Sequence, residues 1–200
     1  MQIKFRTANP MDFTNVRYAI IFNTSGNGQE PYANGYLSGY ANYSFGMFVG
    51  GANTSVSPQV FAYVQQPGTN GNLIPVQIFP PPQLLTLQTN TNGQNTEFTI
   101  TFSRSIFSGG PTASPLPTGA TAPPTTLAQQ SWNINFITTD PTLVPLDALG
   151  TNGKNDVTFS LSVNTATVFD FVQQLTVPAG AVQAPLPAAQ LSGGEILNNP

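Results

Sequence analysis

Short runs of alternating apolar and polar residues, parted by clusters of Asn, Gly and Pro, recur from one end of the chain to the other. Alternation with period two marks half-buried strands, because successive side chains leave a strand on opposite faces. Residues 2–7 place Ile3 and Phe5 on one face. Residues 16–22 place Val16, Tyr18, Ile20 and Phe22 on one face and Arg17, Ala19 and Ile21 on the other. Ile21 on that second face predicts a central strand with both sides at least partly covered. Residues 42–49 bring Tyr43, Phe45, Met47 and Val49 together, and 59–65 (QVFAYVQ) reads as the next strand. Residues 73–79 carry Pro75, which has no N–H for a ladder, so this strand belongs at an edge or bulge.

The second half continues the pattern. Residues 84–89 and 97–102 flank TNTNGQNT, a hairpin signal centred on Asn92-Gly93. Phe98, Ile100 and Phe102 alternate with Glu97, Thr99 and Thr101. Trp132, Ile134 and Phe136 alternate with asparagines, and the run closes at Asp140-Pro141, where the aspartate reads as a turn initiator. Residues 140–155 look irregular, with one helical turn expected at 146–149, and the last strands are expected at 157–163 and 167–174. Two long segments stand outside the alternation. Residues 109–126 (GGPTASPLPTGATAPPTT) read as an extended Pro-rich surface loop, and 178–200 as an Ala/Pro-rich tail that runs along the sheet or frays. About nine or ten short strands, with no helix of normal length, predict one all-β domain over 1–200: a two-sheet β-sandwich, immunoglobulin-like or jelly-roll-like.

Composition narrows the chemistry. Only 6% of the 200 residues are charged, against about a quarter in ordinary globular chains; Asn, Gln, Ser and Thr solvate the surface instead. The net charge is −3, and the five cations Lys4, Arg6, Arg17, Arg104 and Lys154 are scattered, so no phosphate-binding patch for nucleic acid is expected. His and Cys are both absent, which removes the usual ligands of zinc, haem and iron–sulfur centres and all Ser-His and thiol chemistry. No cofactor and no metal site is expected, and no apolar run reaches membrane-spanning length.

Candidate sites are correspondingly few. The eight carboxylates (Asp12, Glu30, Glu97, Asp140, Asp147, Asp156, Asp170 and Glu195) sit in no recognisable catalytic motif, so no catalytic residue is assigned. The loop Asn23-Thr24-Ser25-Gly26-Asn27-Gly28 has the spacing of a cation loop but amides and hydroxyls where calcium needs carboxylates; it reads as a turn. The strongest candidate is the connection 32–43. There Tyr32, Tyr36, Tyr40 and Tyr43 are interleaved with Asn34 and Asn42, flat aromatic faces beside amides, as a polysaccharide site requires. The alternative is that these rings plug one end of the sandwich.

The segments YAIIFNTSGNGQEPYANGY, GYANYSF, WNINFITTD, DALGTNGKNDVTFS and LSGGEI together resemble uncharacterised bacterial secreted proteins of lipoprotein type, in which a β-sandwich follows a lipobox cysteine and a linker. More distantly, the succession along the sequence of a strand ending in the turn Asn23-Thr24-Ser25, a Tyr/Phe strand, an E-F-x-I strand at 97–100 and N-F-x-x-x-D at 135–140 is similar to DOMON and family-9-type carbohydrate-binding sandwiches. The first resemblance implies an extracellular or cell-surface protein, lipid-anchored through a processed N-terminus that precedes this numbering. The second implies sugar binding, without the acidic first turn that would hold calcium.

The leading expectation is therefore a non-enzymatic cell-envelope or extracellular subunit that works through protein partners or self-association. Strand edges poor in Lys and Glu invite pairing by another chain, and both the strand at 2–7 and the tail are expected to reach a neighbour. The alternatives are a carbohydrate-binding module and a viral capsid or decoration protein.

Overall fold

The structure is a computed structural model that describes residues 1–24, 44–51, 56–65, 73–107, 131–148, 159–162, 167–171 and 186–198. The described residues form twelve strands and no long helix: β1 (Gln2–Thr7), β2 (Arg17–Asn23), β3 (Phe45–Gly50), β4 (Gln59–Gln65), β5 (Leu73–Ile78), β6 (Leu85–Thr89), β7 (Glu97–Phe102), β8 (Ser131–Thr139), β9 (Pro145–Ala148), β10 (Phe159–Ser162), β11 (Thr167–Phe171) and β12 (Leu191–Asn198). They build the two-sheet β-sandwich that the alternation predicts.

One sheet has the order β11-β12-β1-β7-β6. The other runs β10-β8-β2-β3-β4-β5, with β9 on the same side of β8 as β10. β10 pairs with the first part of β8 and β9 with its last residues. Every neighbouring pair is antiparallel.

The inner faces explain the choice of residues. In the register of β1 with β7, Phe5 lies opposite Phe98, and the two rings stack with centroids 5.0 Å apart. From the facing sheet Tyr18 meets Phe5 edge-on at 5.6 Å and Phe136 approaches to 5.5 Å. Nearer the far end of β2, Phe22 packs against Phe102, Phe107 and Trp132. Phe107 belongs to no strand; it sits on the 3-10 turn Arg104–Phe107 that follows β7. Burying such rings is the dominant favourable term in folding a chain with so few charges.

β2 is covered on both faces, as Ile21 led us to expect. Tyr18, Ile20 and Phe22 enter the inter-sheet core, while Ala19 and Ile21 join Phe48, Ile137 and Ala148 in a second, smaller buried cluster. The Arg17 guanidinium lies over the Phe48 ring, 5.8 Å from its centroid, a cation–π arrangement.

Three sequence expectations are corrected. Residues 191–198 are no fraying tail: β12 lies between β1 and β11, with Ile196 opposite Ile3 and fully buried. The Gly193-Gly194 pair hid its periodicity. The register shifts in this stretch, and Gly193 takes φ 152°, a backbone that glycine alone adopts freely. Residues 145–148 form β9, not a helical turn; Pro145 starts it, and Leu146 and Ala148, two residues apart, are buried in different clusters because the register with β8 shifts at Leu146. Finally, the strand at 2–7 is not free to reach a neighbour. It is the middle of its sheet, with Ile3 and Phe5 completely buried.

Candidate functional site

The sugar-site candidates Tyr32, Asn34, Tyr36, Tyr40, Asn42 and Tyr43 lie outside the described residues, as does the Pro-rich loop 109–126. The structure does place most of the groups that chemistry would have to use.

Five carboxylates have described side-chain bonds, and each serves the fold. Asp12 caps a turn, accepting from the Thr14 and Asn15 N–H groups and from the Asn15 amide; the Asn15 contact leads in holding its carboxyl below the ordinary range. Asp140 initiates its turn as expected, its Oδ1 accepting from Thr142 N, Thr142 Oγ1 and Val144 N. Glu97 and Glu195 join Lys4 and Arg6 on the outer face of the β1 sheet. Lys4 Nζ donates to Glu195 Oε2 at 2.9 Å, and Arg6 Nε to Glu97 Oε2 at 2.6 Å. Thr91 Oγ1 donates to the other oxygen of Glu97. Burial raises the Glu97 pKa, but the bonds from Thr91 and Arg6 outweigh it and leave the carboxyl below its ordinary value. The register continues outward: Asp170 on β11 stands opposite Glu195. Pairs across neighbouring strands favour this register, and partly exposed pairs of this kind add only modest stability. Among the described residues no group of three or more His, Cys, Asp or Glu is placed to hold a metal ion.

The fifth carboxylate is buried. Asp147 is 2% exposed; its Oδ1 accepts from Ala148 N at 2.9 Å and its Oδ2 from Leu191 N at 3.0 Å. Burial pushes its pKa up to about 7, against those two N–H groups, which favour the ion. Leu191 opens β12, so this carboxylate ties the two sheets together. Two further bonds do the same. Thr138 Oγ1 donates to Ala189 O at 2.7 Å. The Tyr18 hydroxyl donates to Ala188 O at 3.0 Å while accepting from Asp12 N at 2.8 Å. Burial holds the Tyr18 phenol well above its ordinary pKa, so it is always a donor here. Tyr18→Phe is expected to cost about 1–3 kcal/mol, the penalty for leaving a buried donor and acceptor unpaired. Urea unfolding measures it, and an unchanged midpoint would show that the hydroxyl does not tether β12.

Among the described residues, a lateral rim stays accessible. β5 ends its sheet and β6 ends the other, so the connection between them crosses one side of the sandwich. That connection presents Phe79, 61% exposed, then Pro80, Pro81 and Pro82. The β5 edge carries Pro75, the usual block to further pairing. The β6 edge (LTLQT) has no charge, no proline and no bulge. Leu85 and Leu87 pack partly buried against the core, whereas Thr86, Gln88 and Thr89 are exposed.

The hydrogen bonds show which backbone groups of β6 are open. Met1 and Phe102 exchange bonds across β1 and β7, and Ser103 N donates to Leu84 O across β7 and β6. Bonding alternates along an antiparallel strand, so Thr86 and Gln88 bond inward to their register partners Thr101 and Thr99. The N–H and C=O groups of Leu85, Leu87 and Thr89 therefore point away from the sheet. The residue pattern showed the strand and its hairpin, but nothing in it showed that β6 would end its sheet; only the strand order does.

No family model, curated protein or solved structure matches this chain. The likeness to secreted lipoprotein-type and carbohydrate-binding sandwiches thus rests on the sequence segments alone.

Proposed function

We propose that this protein is a non-enzymatic structural or accessory subunit of a cell-envelope or extracellular assembly, acting through protein–protein contacts. One observation carries the reading: among the described residues, the β5–β6 rim combines an unpaired, uncharged strand edge with an aromatic ring left 61% exposed. Monomeric sandwiches commonly blunt such edges with charge, proline or a bulge, and exposed aromatics are the preferred anchors of interfaces. Two further facts support it. The five carboxylates with described side-chain bonds, Asp12, Glu97, Asp140, Asp147 and Glu195, are engaged in turns, ion pairs and the inter-sheet tie. The low charge leaves little repulsion to keep copies or partners apart.

The test is the size of the protein extracted without denaturant from the cells that make it. An assembly well above the 21.2 kDa of one chain, lost when the rim is mutated, is the expected result. A 21.2 kDa particle that binds a polysaccharide column would overturn the reading in favour of a carbohydrate-binding module.

A further inference from the structure

We infer that the occupant of the β6 edge is the β6 edge of a second copy, the two sheets joining across a twofold axis at Leu87. The inference rests on the protein–protein reading above and specifies its partner. An antiparallel pair bonds only where both strands direct N–H and C=O outward. On β6 those residues are Leu85, Leu87 and Thr89, which are evenly spaced about Leu87. A twofold through Leu87 brings Leu87 opposite its own copy and Leu85 opposite Thr89 on both sides, so every outward group finds a partner. Moving the axis by one residue leaves the groups at one end of each strand unpaired.

Charge points to the same occupant. In a twofold interface each residue meets a residue of the same surface, so an edge carrying one sign of charge opposes itself. β6 carries none, and the facing pairs are Leu87–Leu87, Leu85–Thr89 and Thr86–Gln88. The other described edges fit less well. β5 has Pro75, β11 has Asp170, and β9 and β10 are two four-residue strands that share one side of β8. The joined sheets would also cover Leu85 and Leu87, now only partly buried. Phe79 lies on the connection that leads into β6, so it flanks the Leu85 end of the strand, which lies beside the partner's Thr89 end.

The experiment is analytical ultracentrifugation of the full chain over a concentration series, with Thr86→Lys/Gln88→Lys as the test variant. Both side chains are exposed on the outer face, so the core is untouched, and in the paired edge each lysine faces a lysine. Wild type is expected to approach twice the 21.2 kDa chain mass. The double variant is expected to raise the dissociation constant at least about tenfold, since like charges directly opposite are destabilising, with its thermal midpoint unchanged in dilute solution, where both chains are monomeric. Phe79→Ser, at a site 61% exposed, is expected to weaken the dimer by on the order of tenfold as well. Because no charges meet, the dissociation constant should change little with added salt.

A wild-type dimer indifferent to the lysines and to Phe79→Ser would overturn the β6 pairing while leaving the protein–protein reading intact. A wild-type monomer at every concentration would also overturn it. The protein–protein reading itself then stands or falls by the size of the particle extracted from cells.

Discussion

Replacing Phe107 by alanine is expected to cost about 3–5 kcal/mol of folding stability, the range for truncating a fully buried phenylalanine. The residue lies outside every strand, on the turn after β7, yet it is 1% exposed. Its ring meets Phe45 at 4.5 Å, Phe22 at 4.9 Å, and Phe102 and Trp132 at 5.6 Å each. These partners come from β3, β2, β7 and β8, so the one ring joins both sheets at that end of the sandwich. The cavity it leaves cannot be filled by a strand sliding inward, because ladders hold all four neighbours. For a domain whose whole stability is on the order of 5–15 kcal/mol, the loss is a large fraction. Guanidinium unfolding at neutral pH measures it, and a loss below about 1 kcal/mol would mean that the turn does not hold the ring in the core.

The second large effect is a dependence on pH set by Asp147. Its folded pKa of about 7 lies above the ordinary 3.8. Between those values the folded chain keeps a proton that the unfolded chain has released, so stability falls as pH rises. The contribution is fully present below pH 3.8 and is lost as pH passes through about 7; its size is roughly 4 kcal/mol. Glu97 and Asp12 act in the opposite sense. Their folded pKa values are lowered, so they stabilise above the ordinary carboxylate range and lose that effect as pH falls. The sum is a stability maximum near the top of the carboxylate range and a decline towards neutrality.

Asp147→Asn is expected to flatten that decline. The amide oxygen still accepts from Ala148 N, but its NH2 group faces Leu191 N, at a cost of about 1–3 kcal/mol below pH 5. Thermal midpoints from pH 4 to 8 decide it: a variant that keeps the wild-type slope would place the titrating group elsewhere.

Much of this architecture was legible in the alternation. β4 and β7 stand where their runs of alternating residues put them, and Pro75 did mark an edge strand. Ile21 did mark a strand buried on both faces. What escaped was non-local. β12 earns its strand from β1, to which Lys4–Glu195 and Ile3–Ile196 bind it across nearly the whole chain, and its glycines erase any period. β9 is four residues long and opens with proline, too short to show a rhythm. The inter-sheet tie through Tyr18, Thr138 and Asp147 was likewise unreadable, because a tyrosine, a threonine and an aspartate at those spacings meet only once both sheets are formed.

The candidate site divided along the same line. The hairpin strand at 84–89 was visible, but its openness depends on where β7 and β1 stand. The exposure of Phe79 depends on which side of the sandwich the β5–β6 crossover takes. The tyrosine-rich connection at 32–43 was visible as composition alone.

The most direct test of the paired β6 edge is residue-resolved amide hydrogen exchange on the full chain at low and high protein concentration. The Thr86 and Gln88 amides, bonded inward to β7, should be slow at both. The Leu85, Leu87 and Thr89 amides should be fast when the chain is dilute and become slow when it is concentrated, in that alternating pattern and with little change elsewhere in the sheet. If those three amides exchange rapidly at every concentration, the edge is open in solution and the account of it as a contact between copies is wrong.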